Sequence, residues 1–409
     1  MCVAEVLSMT AAVAYPALLP RLLQEWSLTN SGAGFVSGSF FGGYMVAVPL
    51  LTSLTDRIDA RRVYFLATLL SAAGAAGFGF LAQGQLTAAL FQALAGAGLA
   101  GTYMPGLKIL SDHLDPRRHS RYIAFYTSTF GIGSSVSILL AGVLANELGW
   151  RTAFALLALG PIAAGMLVPA ALPGDVPHPA PGARPPLLDV RGVLANQSAR
   201  SYIIGYAAHC FELFGLRSWM VAFFAFTGSL HGGKQLLSAA TSAAAINLLG
   251  PLASIFGNEL AARLGRRRFI ARVMVASAVA SAIIGFTAPL PWIVSFAAML
   301  VYFLLIMGDS AAVTAGLVSA AERGRRGATM ALHAFLGFGA GSVAPLVFGV
   351  VLDAAGGGAR TVAWGLAFAS LGLGGAVGPI AFALYERRAR RRHSERHAAR
   401  KARTAAGPG

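Results

Sequence analysis

The chain has 409 residues, of which 56% are hydrophobic and only 12% are charged, and its formal net charge is +16. A soluble protein carries roughly twice that charged fraction, so the composition excludes an ordinary soluble domain. Positive charge can indicate nucleic-acid binding, but here it is dispersed into short loops between apolar stretches, and we expect no nucleic-acid partner. The composition predicts an all-α integral membrane protein in contact with the lipid bilayer.

Twelve apolar stretches follow one another along the chain. Each is long enough for a helix to cross about 30 Å of hydrocarbon, and we therefore predict twelve transmembrane helices, numbered here as spans 1 to 12. The spans are 3–23, 33–54, 63–82, 86–110, 122–145, 152–172, 202–226, 236–261, 269–288, 291–317, 328–352 and 361–384.

The basic residues fall almost entirely in alternate gaps between the spans. Of the 32 Lys and Arg, four lie in or at the edge of the odd-numbered gaps and two lie inside spans. The other 26 lie in or at the edge of the even-numbered gaps or in the C-terminal tail. Because basic loops stay in the cytoplasm, we expect cytoplasmic termini and external odd-numbered loops. We place the protein in a bacterial inner (cytoplasmic) membrane, as a monomer.

The two halves of the chain repeat at an offset of 206 residues. Six spans in each half make this a parallel repeat, although chance similarity between arginine-rich loops is the alternative. The matching pairs are Arg57 and Arg263, Arg61 and Arg267, Arg62 and Arg268, Gly131 and Gly337, and Gly133 and Gly339.

The repeat and the composition divide the chain into four parts. Six prolines between positions 173 and 186 favour an extended linker, because proline removes hydrogen-bond donors. The predicted parts are an N-terminal six-helix bundle (1–172), a cytoplasmic linker (173–200), a C-terminal six-helix bundle (201–385) and a basic cytoplasmic tail (386–409).

The loop after span 2 carries a recognisable motif. Its acidic and basic residues are similar to the signature Gly-x-x-x-Asp-Arg-x-Gly-Arg-Arg of the major facilitator superfamily, although Thr52 stands at the first Gly and Asp59 near the second. With the six-plus-six layout, the chain resembles this superfamily over essentially its whole length. The resemblance implies two six-helix bundles around a central cavity that alternate between inward-open and outward-open states.

The same resemblance implies a latch between the halves at the inner face. An anionic Asp56 near the N-terminal end of span 11 would be stabilised by about 0.3–1 kcal/mol. The alternative is that the loop charges are merely solvated. The residues of the motif and its copy after span 8 are Asp56, Arg57, Arg61, Arg62, Arg263, Arg266 and Arg267, and the nearby Asp112 could extend the charge cluster at the inner gate.

Span 7 contains His209, Glu212 and Arg217 within an otherwise apolar helix. Ionisable groups at that depth destabilise insertion by about 2.5–3.5 kcal/mol each, so they persist only beside a wet cavity or a partner. His209 and Glu212 share a face, and Arg217 lies about 140° around the helix from Glu212. We predict that Glu212 carries a coupling proton and that Arg217 binds an anionic group. A structural polar pair that joins span 7 to a neighbouring helix is the alternative.

Polar residues in other spans are weaker candidates. Asp309 of span 10 could titrate or bind substrate, or it could pair with a cytoplasmic arginine. We expect Glu5 to lie too near the inner surface to take part. The predicted cavity-lining residues are Ser134, Ser135, Asn247 and His333.

These features predict a secondary transporter. The chain has no P-loop and no His, Cys and carboxylate cluster at metal-ligand spacing, so we expect no enzyme, no metal and no cofactor. We predict proton-coupled movement of a small organic solute by alternating access, with an anionic group favoured by Arg217. The alternatives are a non-transporting accessory or sensor protein with this fold, and an uncoupled facilitator or exporter.

Overall fold

The computed structural model describes residues 1–55, 57–112, 119–173, 190–233, 235–322 and 325–405. Every regular element in these ranges is helical, which confirms the all-α prediction. A short 3-10 turn covers Gly285–Thr287. The helices are α1 (Cys2–Ser8), α2 (Ala14–Glu25), α3 (Asn30–Leu54), α4 (Ala60–Leu81), α5 (Gln85–Asp112), α6 (His119–Leu148), α7 (Trp150–Leu157), α8 (Leu159–Ala171), α9 (Arg191–Ala195), α10 (Gln197–Leu230), α11 (Ala239–Leu264), α12 (Arg266–Ile284), α13 (Trp292–Ala320), α14 (Arg326–Ala354), α15 (Thr361–Gly375) and α16 (Val377–Ala405).

Ten helical segments in the described ranges are long and apolar enough to cross a membrane, in agreement with an integral membrane protein. They correspond to ten of the twelve predicted spans. Span 1 is divided between the short helices α1 and α2, and span 4 forms α5, whose Gln92 and glycines lower its mean hydropathy. The count of twelve spans therefore stays a prediction.

Prolines divide three stretches that were expected to form one helix each. Pro16, Pro161 and Pro379 follow shortly after the breaks between α1 and α2, α7 and α8, and α15 and α16. A proline lacks an N–H group, and its ring clashes with the carbonyl four residues earlier. Before Pro161 that carbonyl belongs to Leu157, and it accepts a hydrogen bond of 2.8 Å from Thr10 Oγ1 instead. The break before Pro161 is thus compensated by a side chain of the turn between α1 and α2.

Side-chain caps fix the starts of several long helices. Thr29 Oγ1 accepts from Gly32 N–H at the start of α3, and Ser238 Oγ accepts from Thr241 N–H at the start of α11. Asn196 Oδ1 accepts from two backbone N–H groups at the start of α10. Such caps satisfy donors that have no partner within the helix, which makes the turn from loop to helix favourable in each case.

Two helix pairs make the largest contacts between the halves of the molecule: α3 packs along α14, and α6 packs along α11, while α2 also contacts α10. Under the offset of 206 residues, α3 corresponds to α11 and α14 corresponds to α6, so the two contacts are equivalent. Glycine brings the backbones together, because a Cβ atom added at Gly34 or Gly38 would collide with the carbonyl oxygen of Pro345 or Ser342. Small residues commonly permit this close packing in lipid.

Asp353 ties α14 to α3 at the end of the bundle where α3 begins and α14 ends. We call this the odd-loop end, since it carries the odd-numbered gaps. Asn30 donates to Asp353 Oδ1 through its backbone N–H (3.1 Å) and its Nδ2 (2.7 Å), and Ser31 N–H donates to Oδ2 (2.8 Å). The carboxylate of one half therefore caps a helix of the other half and ties the two halves together at this end of the bundle.

The predicted linker and tail contain helices. Residues 174–189 lie outside the described ranges, and the rest of the linker forms α9 and the start of α10. Helix α16 continues from span 12 through the basic segment to Ala405. The apolar and basic parts of α16 are therefore one continuous helix.

Candidate functional site

A small cavity lies where the broken first span meets α3, α5, α6 and α10. Its volume is about 30 Å³, and its wall is mainly apolar and aromatic. We call it the central cavity. Its lining residues are Met9, Ala12, Val13, Pro16, Ser37, Phe40, Phe41, Gln92, Leu99, Phe130, Ser134, Phe214, Arg217 and Ser218.

The wall of the central cavity follows from the local sequence. The irregular turn between α1 and α2 borders it, and Ser137 of α6 accepts a hydrogen bond of 3.0 Å from the Val13 N–H group in that turn. Irregular backbone is tolerated at membrane depth only where protein or a cavity satisfies it. The residues of α10 that reach the cavity, Phe214, Arg217 and Ser218, follow one another at helical spacing on one face.

Arg217 is the charged group of the central cavity, and its exposed fraction is only 6%. Its Nε donates to Asn247 Oδ1 at 3.0 Å, and Asn247 Nδ2 in turn donates to the carbonyl of Ala243. The rings of Phe130 and Phe303 lie 5.8 and 5.7 Å from the guanidinium carbon. Within the described ranges no carboxylate forms an ion pair with Arg217. The site is therefore a buried cation without an anion.

His209 and Asp309 form a second buried site, which the sequence did not pair. His209 Nδ1 of α10 lies 2.6 Å from Asp309 Oδ1 of α13, which is within the distance of an ion pair. The two groups are not aligned as in a hydrogen bond. His333 of α14 completes the cluster, since it stacks on Tyr206 with 3.6 Å between ring centroids. Asp309 thus contacts a histidine at membrane depth, and the cytoplasmic arginine proposed as its alternative partner is not needed.

Glu212 lies inside the C-terminal half and points away from the central cavity. Its Oε2 accepts a hydrogen bond of 3.0 Å from Ser277 Oγ of α12, and the carboxyl group packs against Gly375 at the end of α15. Its Oε1 has no hydrogen-bond partner among the described residues. The nearby Tyr302 hydroxyl donates to Ser281 Oγ at 3.0 Å. Although Glu212 and His209 share a face of α10, they contact different helices and do not form a mutual pair.

The other predicted lining residues lie in four different places. Ser134 lines the central cavity, whereas the Ser135 hydroxyl donates to the Gly131 carbonyl within its own helix. Asn247 lies behind Arg217, and His333 belongs to the cluster around His209. The sequence analysis missed the aromatic lining and the role of Gln92 in the wall. A polar residue inside an apolar helix was the available signal for Gln92.

Glu5 was expected to lie too near the inner surface to take part, and the structure places it in the interior of its own half. It is fully buried in α1, and Tyr126 Oη donates to its Oε2 at 3.0 Å. The hydroxyl oxygen of Tyr126 also lies 3.0 Å from the Tyr103 carbonyl oxygen. Position along the chain indicates depth but says nothing about which helices cover a side chain, so the sequence did not predict this burial. Each half therefore contains a buried glutamate in its first span, Glu5 and Glu212.

The latch residues of the N-terminal half are only partly described. Asp56 lies outside the described residues, and so does the side chain of Asp112. Arg57 and Arg62 are exposed. Arg61 forms an ion pair with Asp59 at 2.7 Å and donates to the Leu172 carbonyl, also at 2.7 Å. The latch across the inner face therefore stays a prediction.

Asp59 begins α4 and is held by Arg61. Partial burial raises the pKa of its carboxyl group, but hydrogen bonds from the guanidinium and backbone N–H of Arg61 outweigh that effect. The pKa of Asp59 consequently lies below its usual value. This pair contributes to the start of α4 within one half of the molecule.

The latch residues of the C-terminal half contact their own half. Arg263 forms an exposed ion pair with Glu259 of the same helix, at 2.9 Å. Arg266 donates to Asn258 Oδ1 at 2.7 Å. Arg267 stacks 4.0 Å from the ring centroid of Tyr385 in α16. In this conformation the three arginines stabilise the C-terminal half at the end opposite the odd-loop end. A contact with the other half stays a prediction.

The arrangement combines an apolar cavity between the halves with a buried cation in its wall and titratable groups close behind. Among the described residues no group of three or more His, Cys, Asp or Glu side chains is placed to hold a metal ion. A cation without a counterion attracts an anionic ligand, and buried carboxyl groups exchange protons when their surroundings change.

Comparison with known proteins gives relatives that are all transporters. The chain is 30% identical over 372 residues to monocarboxylate transporter 11 of Mus musculus, which covers 88% of this chain and 74% of that protein. It is 31% identical over 156 residues to the voltage-gated purine nucleotide uniporter of Mus musculus, covering 35% of this chain and 33% of the uniporter. It is 25% identical over 138 residues to the niacin transporter of Acinetobacter baylyi, covering 34% of this chain and 31% of the niacin transporter. The matches to the uniporter and to the niacin transporter each span about a third of that relative's length.

Solved structures of transporters share the fold. A bacterial homologue of the human lysosomal transporter Spinster, in an inward-facing and occupied conformation, superposes with a TM-score of 0.76 at 15% identity, covering 94% of this chain and 95% of that one. A nucleoside transporter gives a TM-score of 0.72 at 14% identity, covering 93% of this chain and 98% of the nucleoside transporter. The sequence profile described as Major Facilitator Superfamily matches residues 1–336. The chain belongs to the major facilitator superfamily of transporters.

Proposed function

We propose that the protein is a proton-coupled secondary transporter that moves a small organic anion with an apolar body through the central cavity. The observation that carries this proposal is Arg217, a buried cation without an ion-pair partner in the described ranges, in an otherwise apolar wall between the halves. A buried charge is expensive unless it is paired. An anionic substrate would supply the missing charge, and the planar guanidinium suits a carboxylate.

The apolar part of the substrate follows from the rest of the wall. Phe40, Phe41, Phe130 and Phe214 present ring faces and edges to the cavity, and Gln92 adds one amide. Such a surface favours a compact aromatic or aliphatic body over a sugar, which would need many hydrogen-bond partners. Monocarboxylates, niacin and purine nucleotides, named for three relatives, all carry an acidic group, which supports an anionic substrate for this chain.

The contact between the halves at the odd-loop end and the small size of the cavity support alternating access. A space of about 30 Å³ holds about two water molecules, so a solute enters only after the halves move apart. We propose that bundles 1–172 and 201–385 rock about the cavity, with the Asp353 contact broken in the opposite state. Twelve spans, cytoplasmic termini and a monomer in a bacterial inner membrane remain part of this proposal.

Proton coupling is proposed to use Glu212. Its exposed fraction is 2%, and its partner is a neutral serine rather than a cation, so its charged form is strongly disfavoured while it is buried. Movement of α10 that wets this position would release the proton. The His209–Asp309 pair on the same helix is the second candidate for the proton pathway. A purely structural role for Glu212 would instead leave an uncoupled facilitator.

The experiment separates substrate binding from coupling. Thermal unfolding of the purified protein is measured with matched acids and amides, benzoate against benzamide and nicotinate against nicotinamide. The acids should raise the unfolding temperature, because a ligand at 100 times its Kd stabilises the native state by about 2.7 kcal/mol. Arg217→Gln should remove the preference for acids, and Arg217→Lys should restore part of it. Arg263→Gln, which removes an exposed arginine, is the control.

Coupling is tested in proteoliposomes with the acid that binds best. Glu212→Gln should bind it normally but fail to accumulate it when a pH gradient is imposed, whereas the exposed Glu259→Gln should behave as the wild type. Continued accumulation by Glu212→Gln would move the proton site to Asp309, where Asp309→Asn is the next variant. Equal stabilisation by acids and amides in the wild type would refute the proposed substrate class.

A further inference from the structure

A second and larger cavity lies on the C-terminal half, between the start of α10 and the middle of α16. It measures about 220 Å³ and is open along one side. We call it the α10–α16 groove. Its lining residues are Gln197, Arg200, Ser201, Ile204, Val377, Ile380, Ala381, Leu384, Tyr385 and Arg388.

The groove is amphipathic along its length. Arg200 and Arg388 lie towards the end where α10 begins and the basic part of α16 starts. One and two turns further along, Ile204, Ile380 and Leu384 provide an apolar floor, and the last two are 58% and 47% exposed. Positive charge at one end and exposed apolar side chains at the other match a phospholipid at the edge of a bilayer.

The polar end of the groove is held in place by a neighbouring arginine. The guanidinium of Arg267 lies 4.0 Å from the ring centroid of Tyr385 and 5.0 Å from that of Tyr202, and it donates to Ser198 Oγ. This third positive charge therefore fixes Tyr385, which lines the groove, and joins α12 to both walls.

Among the described residues, the acidic side chain next to the groove in sequence is already paired. Glu386 lies next to Tyr385 in sequence, and its carboxylate is 3.8 Å from Arg390 on the same helix. Arg200 and Arg388 are thus left as the charges that face the space. The local potential at the polar end is positive.

We propose that the α10–α16 groove binds one anionic phospholipid. The phosphate group lies between Arg200 and Arg388, and an acyl chain lies along Ile204, Ile380 and Leu384. A zwitterionic lipid brings its own cation against the two arginines and binds more weakly. A free phosphate ion satisfies the charges but leaves the apolar floor uncovered, so the lipid is the favoured occupant.

The test is native mass spectrometry of the full chain, titrated with dioleoyl phosphatidylglycerol or dioleoyl phosphatidylcholine. We expect one tightly bound phosphatidylglycerol per chain. Loss of a basic residue near the membrane surface weakens binding of an anionic lipid about fivefold, so Arg200→Gln with Arg388→Gln should weaken it about 25-fold. The matched control is Arg387→Gln with Arg391→Gln, which removes two exposed charges from the same helix outside the groove, keeps the Glu386–Arg390 pair and should change the affinity less than threefold.

A second variant tests the apolar part without changing the charge. Ala381→Trp fills the floor of the groove and should also lower the affinity for phosphatidylglycerol, while circular dichroism and size-exclusion chromatography verify its fold. Equal losses in the groove and control pairs would show diffuse attraction to the basic helix and overturn the proposal. Displacement of the lipid by millimolar inorganic phosphate would show an ordinary anion site and overturn it as well. Equal binding of the two lipids would do the same.

Discussion

Asp353 is predicted to hold the odd-loop end closed. Its carboxylate accepts three hydrogen bonds from α3, two of them from the backbone N–H groups of Asn30 and Ser31. Those groups begin the helix, where donors lack partners and partial positive charge accumulates. Asp353→Ala removes the acceptor and the charge together. It leaves the cap at Thr29 intact, so α3 itself should still form.

The size of the effect follows from these contacts. Hydrogen bonds to a charged group contribute about 1.5–3 kcal/mol each, but this site is half-buried and water replaces much of the loss. We expect a net change of about 1–3 kcal/mol in the equilibrium between the two states, equivalent to about 5–150-fold in the population ratio. Asp353→Asn retains one acceptor oxygen and should lie between the wild type and Asp353→Ala.

Double electron–electron resonance measures this shift directly. Spin labels at the exposed positions Gln83 and Leu290, one in each half at the odd-loop end, report the opening in a background without Cys2 and Cys210. Asp353→Ala should increase the population at long distance. Glu147→Ala, which removes an exposed carboxylate at the same end, is the control. Identical distance distributions for Asp353→Ala and the wild type would refute the idea that this carboxylate closes the bundle.

Two further predictions concern helix contacts. Gly38→Ala should open the odd-loop end in the spin-label distance measurement, because the added Cβ meets a backbone carbonyl of α14. Gly42→Ala, one turn further along α3, places its Cβ 3.9 Å from the nearest atom and should resemble the wild type. Arg61→Gln should lower the stability at pH 7 by about 1 kcal/mol, as expected for a partly exposed ion pair near the surface. Arg61 depresses the pKa of Asp59, so its contribution is present above the ordinary value of 3.8 and is lost as the pH falls through the folded-state pKa. Thermal unfolding at pH 7 and pH 3 should show the difference shrinking, and a constant difference would contradict this.

The membrane class and the helical content were predictable, because apolar runs must form helices in lipid. The breaks near Pro16, Pro161 and Pro379 were not placed, although each proline was visible. Hydropathy averages over a span and does not register a local break. A proline can also remain within a transmembrane helix, as Pro345 does in α14. Whether a proline bends or divides a helix depends on neighbours, such as Thr10, that satisfy the freed carbonyl.

The candidate site was predictable to the extent that one helix determines it. Arg217 lies away from Glu212 around α10, as 100° per residue requires, so one faces the cavity and the other faces its own half. The partners were not predictable. His209 and Glu212 share a face, yet one contacts α13 and the other α12, because the contacts depend on how the helices cross.

Helix α10 connects the proposed steps physically. It is one unbroken helix of 34 residues, and it carries Arg217 towards the central cavity while Glu212 and His209 contact the C-terminal half. A tilt of this helix that widens the cavity also shifts Glu212 relative to Ser277 and His209 relative to Asp309, since a continuous helix transmits movement along its length. Substrate charge and proton occupancy would then bias the same two-state element. Such shared bias is the physical requirement for coupling between two separate sites.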